Sequence, residues 1–180
     1  MSISVLYHWR ICSPEREFLC WRCLDQSACL ALVVVGFFAG IPMGFHCYPA
    51  LRLVYVVVSI ATCVTMAGLL ALIPKTHSGA ISAVIIIGTK VAVVPAVHWL
   101  CISEAGRRAA GADLASTIAL ASAACVVFAK CFPECCAPGK FDLVGSSHQI
   151  WHILIFFTIV KYGDCLKSVF ALTGTAEYCA

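Results

Sequence analysis

The sequence predicts an all-α, multi-pass transmembrane helix bundle, and three observations predict it. Hydrophobic residues make up 62% of the 180 residues and charged residues 12%, about half the charged share that a water-soluble domain uses to keep its surface wetted. The mean hydropathy is +0.96. The charges mostly stand at the margins of long apolar stretches, with Pro49, Pro74, Pro133 and Pro138 near several of their ends. The same composition excludes a disordered or collagen-like chain. It also excludes a nucleic-acid-binding surface, because the 12 Lys and Arg are scattered and form no basic run. The partner it implies is the lipid bilayer.

The spans follow in order. A helix needs about 20 mostly apolar residues to cross a bilayer. Residues 1–9 are apolar but too short to cross, and they lack the basic start and small-residue cleavage site of a signal peptide. They read as the end of a helix whose beginning is missing. Residues 27–51 and 53–74 carry no charge, and 80–103 carries only Lys90. Residues 114–129 are charge-free but shorter, which predicts a short or partly exposed span. Residues 146–160 are charge-free, and apolar residues continue past Lys161 to Leu172. The expectation is five full spans plus a partial N-terminal helix, in one membrane-embedded domain over 1–180, with loops over 104–113 and 130–147.

Alternating spans divide the charges between two sides. Arg10, Arg16, Arg22, Lys75, Lys130 and Lys140 fall on one side, and Arg52, Arg107, Arg108, Lys161 and Lys167 on the other. The small excess marks the first side weakly as cytoplasmic. Gly36, Gly40 and Gly44 recur every fourth residue, a pattern that permits close helix contact, within the bundle or between copies. Lys90 stands in mid-span without an acidic residue at its depth, so it either faces a polar cavity or is merely tolerated. Of the 13 cysteines, those within spans, such as Cys29, Cys63, Cys101 and Cys125, read as small buried apolar residues. Cys20 and Cys23 form a lone CxxC, and Cys131, Cys135 and Cys136 cluster in a loop, open to metal binding or to acylation.

Four ionisable residues fall at a similar depth on the first side: His8, Asp25, His148 and His152. His148 and His152 stand at i and i+4, so on a helix both imidazoles share one face. Such a pair can chelate one cation, with His8 as a third ligand and an open position left for water. Zinc so held lowers the pKa of its water to about 7, and Asp25 is placed to orient that water or accept its proton. The other reading of the same spacing is two interfacial histidines touching lipid headgroups. His98 lies at the opposite end of its span and reads as a packing residue.

Further residues carry a resemblance. Phe132-Pro133-Glu134 leads into Pro138-Gly139-Lys140-Phe141-Asp142, and then Gly145-Ser146-Ser147-His148-Gln149-Ile150-Trp151-His152-Ile153-Leu154. Ser4-Val5-Leu6-Tyr7-His8, Leu24-Asp25 and Val94-Pro95-Ala96-Val97-His98-Trp99 stand in the matching order. Together they resemble the progestin and adipoQ receptor family, which includes the adiponectin receptors and is related to the haemolysin III proteins.

The resemblance implies a seven-helix bundle with zinc near the cytoplasmic face. His8, His148 and His152 match its ligands, Asp25 the residue that contacts the zinc-bound water, and Ser4 a position beside the metal. It implies in addition that this chain lacks the family's first helix and most of the second. The adiponectin-receptor branch suggests zinc-dependent hydrolysis of the amide of a ceramide-like lipid. Gly145 to Leu154 is more similar to a Golgi-resident branch that acts as a signalling scaffold, with a protein as partner. Receptor or scaffold, ceramidase-like hydrolase and inactive truncated form all stay open, as do the plasma membrane, Golgi and endoplasmic reticulum as location.

Overall fold

The apolar stretches fold as helices because a helix satisfies its backbone polar groups internally, the condition for lying in lipid. The computed structural model describes residues 6, 9, 14–73, 78–141, 144–175, 178 and 179. Their elements are helices: α1 (Glu15–Gly44), α2 (Pro49–Leu72), α3 (Ser78–Val91), α4 (Val93–Ile102), α5 (Glu104–Ala129) and α6 (Ser147–Thr173). The chain divides into two compact units, Met1–Pro95 and Ala96–Ala180.

Four stretches are long and apolar enough to cross a membrane: α1, α2, Ala83–Ile102 and α5. At about 1.5 Å per residue, the 24 residues of α2 exceed the roughly 30 Å of a hydrocarbon core. The chain is an integral, multi-pass membrane protein of all-α class. The sequence-based expectation of a fifth apolar span over 146–172 is met in length, since α6 has 27 residues, but α6 is not among the four. Its two histidines, Gln149, Lys161, Asp164 and Lys167 dilute its apolar surface.

Two boundaries differ from expectation. The stretch 104–113 is the start of α5, not a loop. Ser103 caps it, its hydroxyl accepting the Gly106 N–H at 3.1 Å, and Glu104 sits in the first turn near the positive end of the helix dipole. The Arg107 guanidinium donates back to the Leu100 carbonyl at 3.0 Å. The stretch 80–103 is broken at Ala92 into α3 and α4. Pro95 accounts for the break: it has no N–H to donate, and its ring crowds the carbonyl of Val91, the last residue of α3. Lys90 therefore stands exposed in the last turn of α3, where a cation suits the helix dipole.

Within the first unit, Phe37, Ile41, Phe45 and Met66 are buried. Phe45 stacks on Tyr55 with ring centroids 4.8 Å apart. A Cβ at Gly88 would overlap Met66 Sδ and Cε, so α3 approaches α2 closely there. At Gly36 a Cβ would meet nothing within 4 Å among the described residues.

Within the second unit, α5 and α6 form the most extensive helix pairing among the described residues. Ala110, Leu114, Ala124, Cys125, Cys165 and Val169 are buried between or beside them. Lys161 Nζ meets Asp113 Oδ1 at 3.1 Å, joining the two helices. Trp99 is 4% exposed and its Nε1–H donates to the Tyr178 hydroxyl at 3.3 Å.

Outside these cores the helices present apolar side chains outward, including Val35, Leu53, Val64, Ile87, Val126, Ile153 and Phe170. In α2 only Ser59 and Met66 are buried. Hydroxyls on the helices turn inward: Ser59, Thr62, Thr89, Ser116, Thr117 and Thr158 each donate to the carbonyl four residues back, at 2.7–2.9 Å. That bond hides the polar group from hydrocarbon. The outward surface suits lipid, and in water it would aggregate. Among the cysteines named from the sequence, only Cys125 is buried within the protein. Cys29 and Cys63 are half-buried and Cys101 is exposed.

Candidate metal centre

The site is built on the start of α6. Ser146 caps the helix and its hydroxyl accepts the Gln149 N–H at 3.4 Å, while Gln149 Oε1 reaches back to accept the Gly145 N–H at 2.7 Å. This is a reciprocal capping arrangement, Ser followed three residues later by Gln. Gly145 has φ +81°, a left-handed conformation that favours glycine, and it turns the chain into the helix.

A second clamp comes from the loop before it. Glu134 Oε1 accepts both the Ser147 N–H, at 2.8 Å, and the Ser147 hydroxyl, at 2.9 Å. The backbone around Glu134 is itself tied into turns, with Cys135 N–H donating to the Cys131 carbonyl and Cys136 N–H to the Pro133 carbonyl at 2.8 and 2.9 Å. Burial pushes the Glu134 carboxyl up, but hydrogen bonds from its own N–H and from Ser147 prevail and hold it below its ordinary value of 4.5. It is an anion at neutral pH, set against a helix N-terminus. In the same loop Cys131, Cys135 and Cys136 are free and exposed, with the Cys135 and Cys136 sulfurs 3.7 Å apart. The Cys135 thiol is pushed up by its contact with Cys136.

Across the first two turns of α6 the two histidines meet. Their Nε2 atoms lie 3.0 Å apart, with rings nearly perpendicular at 81°. Both are half-buried. Aromatic rings surround them: Trp151 lies 4.7 Å from His152 and 5.5 Å from His148, and Phe128, near the end of α5, lies 5.5 Å from His148. The rings restrict where the imidazoles can turn. The chemistry of the convergence is open to two uses. One imidazole can donate an N–H to the other, or both lone pairs can point at one cation. Two nitrogens bound to tetrahedral zinc at about 2.0–2.1 Å lie roughly 3.3 Å apart, so the observed spacing fits a shared zinc after a small relaxation. The described residues supply these two imidazole nitrogens; among them no group of three His, Cys, Asp or Glu is placed to hold a metal.

Of the other residues expected at the site, Ser4 and His8 lie outside the described residues. Asp25 is on α1 in the first unit and is 8% exposed. The structure thus brings together His148 and His152. His98 is half-buried on α4, away from the start of α6 in the chain. Glu134 joins the site in the structure, through Ser147. It had been legible only as part of a motif, because its partner Ser147 is 13 residues away across an irregular loop.

The comparisons with known proteins agree with this architecture. The family model described as haemolysin-III related matches residues 1–161. The chain is similar to heptahelical transmembrane protein 3 of Arabidopsis thaliana, 30% identical over 165 residues that cover 84% of this chain and 46% of that protein. It is similar to heptahelical transmembrane protein ADIPOR2 of Oryza sativa subsp. japonica, 28% identical over 168 residues, covering 90% of this chain and 73% of that one. It is also similar to progestin and adipoQ receptor family member 3 of Homo sapiens, 26% identical over 167 residues, covering 86% and 52%. Against the Arabidopsis and human proteins, then, the chain spans about half the length of the relative it matches.

Proposed function

We propose, for a chain that belongs to the haemolysin-III-related family, that it acts as a receptor-type or scaffold signalling protein of the membrane with zinc at the start of α6. The observation that carries this reading is the 3.0 Å approach of His148 Nε2 to His152 Nε2. The name of one relative, progestin and adipoQ receptor family member 3, supports the receptor class, and those of the heptahelical transmembrane proteins support the multi-pass membrane class. In this reading His148 and His152 hold the metal, and His8 is the third ligand by resemblance to the family. Bound there, zinc would supply a strong, redox-inert Lewis acid. The chain's own residues do the rest. Glu134, Ser146 and Gln149 hold the first turn of α6, and Trp151 and Phe128 hold the imidazole rings.

A second reading keeps the same metal and adds hydrolysis of a ceramide-like lipid amide. The buried Asp25 favours it, since a carboxylate on a spanning helix is costly and such residues mark functional sites. There Asp25 would take a proton from the attacking water and return it to the leaving amine. Ser4 would stand beside the metal.

The test is zinc per chain on the detergent-purified protein, followed by a ceramide hydrolysis assay on wild type and Asp25→Asn. The expected result is about one zinc in both and no turnover in either. No zinc in the wild type overturns the metal centre. Turnover in the wild type that Asp25→Asn abolishes at unchanged zinc overturns the scaffold reading in favour of the hydrolase.

A further inference from the structure

The loop motif Phe132-Pro133-Glu134 has no part in the metal set, yet its carboxylate makes the only side-chain hydrogen bonds that cross from the loop over 130–141 to α6 among the described residues. We infer that Glu134 is the positioning residue of the histidine pair: its carboxylate fixes the first turn of α6, and through Ser147 it sets the direction in which His148 and His152 converge. The inference rests on the zinc reading above and extends it to a residue that touches no metal.

The geometry carries the argument. A helix start leaves its first amides without intrahelical acceptors, and those turns fray unless a side chain supplies them. Here the Ser147 amide is satisfied by Glu134, and the Gln149 amide by Ser146. The first intrahelical bond comes only at Ile150 N–H to the Ser146 carbonyl, at 3.0 Å. His148 therefore lies in the turn that precedes regular helix bonding, directly after the residue Glu134 holds. Ser147 is 7% exposed, so it cannot exchange its Glu134 bonds for bulk water without opening the packing around it. Glu134 Oε1 takes both Ser147 donors, and Oε2 is buried without a hydrogen-bond partner among the described residues. A carboxylate held in this way acts as a two-pronged clamp on one residue. With the clamp in place, the i and i+4 imidazoles share a face and meet at Nε2. With the first turn frayed, His148 swings away while His152, one turn deeper, stays.

The test compares Glu134→Ala and Glu134→Gln with wild type in the intact 180-residue chain. Two quantities are read: amide hydrogen exchange over Ser147–Ile150 and over Leu154–Thr173 in metal-free protein, and zinc affinity by competition with a chelator. Glutamine keeps an amide oxygen where Oε1 accepts, so it serves as the rescue. The expected result for Glu134→Ala is at least about tenfold faster exchange in the first turn only, and about tenfold weaker zinc binding, the scale of an outer-sphere partner. Glu134→Gln is expected to restore most of both. Wild-type exchange and affinity in Glu134→Ala overturn the inference. So does a loss that Glu134→Gln fails to restore, because the carboxylate charge rather than its hydrogen bonds would then be acting. A wild-type chain that takes up no zinc overturns the metal reading instead, and the exchange comparison still decides whether Glu134 fixes the turn.

Discussion

Gly106→Leu is expected to disrupt the second unit, lowering the thermal midpoint in detergent by well over the effect of an ordinary surface change. Gly106 stands just inside α5, and a Cβ there would overlap Trp99 Cζ2 while lying 2.6 Å from Ser103 Oγ and 2.9 Å from Trp99 Cη2. The indole is rigid and buried, and its Nε1–H is committed to the Tyr178 hydroxyl. A leucine must therefore displace Trp99, and with it the Ser103 cap that accepts the Gly106 N–H. Overpacking costs about 1–3 kcal/mol, and loss of a cap adds about 1 kcal/mol. Gly163→Ala, on α6, is the control. A Cβ there meets nothing within 4 Å, and alanine gains up to about 1 kcal/mol of helix propensity. Melting followed by far-UV circular dichroism checks both. A Gly106→Leu protein that melts with the wild type would show that α5 does not approach Trp99 as described.

His148→Ala and His152→Ala are each expected to weaken zinc binding by more than about 100-fold, beyond the range of an outer-sphere partner. The reason is chelation. In the zinc reading, the two nitrogens already lie 3.0 Å apart without metal, so the second bond would form with little further loss of freedom. Removing either ring removes that advantage, and the double variant is expected to lose little more than either single one. His98→Ala is expected to leave zinc binding unchanged. The measurement is zinc affinity by chelator competition, with the melting midpoint recorded to separate lost ligation from lost fold. Wild-type affinity in either single variant would remove the histidine pair from the metal set.

Much of the histidine pair was legible in the sequence, because i and i+4 positions share a helix face wherever the helix forms. Trp151 was legible only as part of the motif Gly145 to Leu154; its contacts with both imidazoles come from the structure. Phe128 was not, since its contact with His148 depends on how α5 lies against α6. The charges at the start of α5 hide the helix in the sequence. Glu104, Arg107, Arg108 and Asp113 read as a polar loop, whereas the cap at Ser103 and the alanines between the charges form a helix. The break at Ala92 was visible in principle at Pro95, four residues after Val91. Hydropathy alone hid it, because a kinked and a straight helix can be equally apolar.

The sequence by itself determined the solvent, the helical class and the face on which two imidazoles meet. Each follows from local rules: too few charges to wet a surface, stretches long enough to span, and a fixed helical period. Only the tertiary structure decided which glycines stand in close contact among the described residues, Gly88 and Gly106 rather than Gly36. It also decided that Lys161 pairs with Asp113 and that Glu134 holds Ser147. These contacts join residues far apart in the chain, and in an apolar sequence every helix offers a similar surface. Pattern shows that a face is buried or greasy, but which side chain meets it is set by packing.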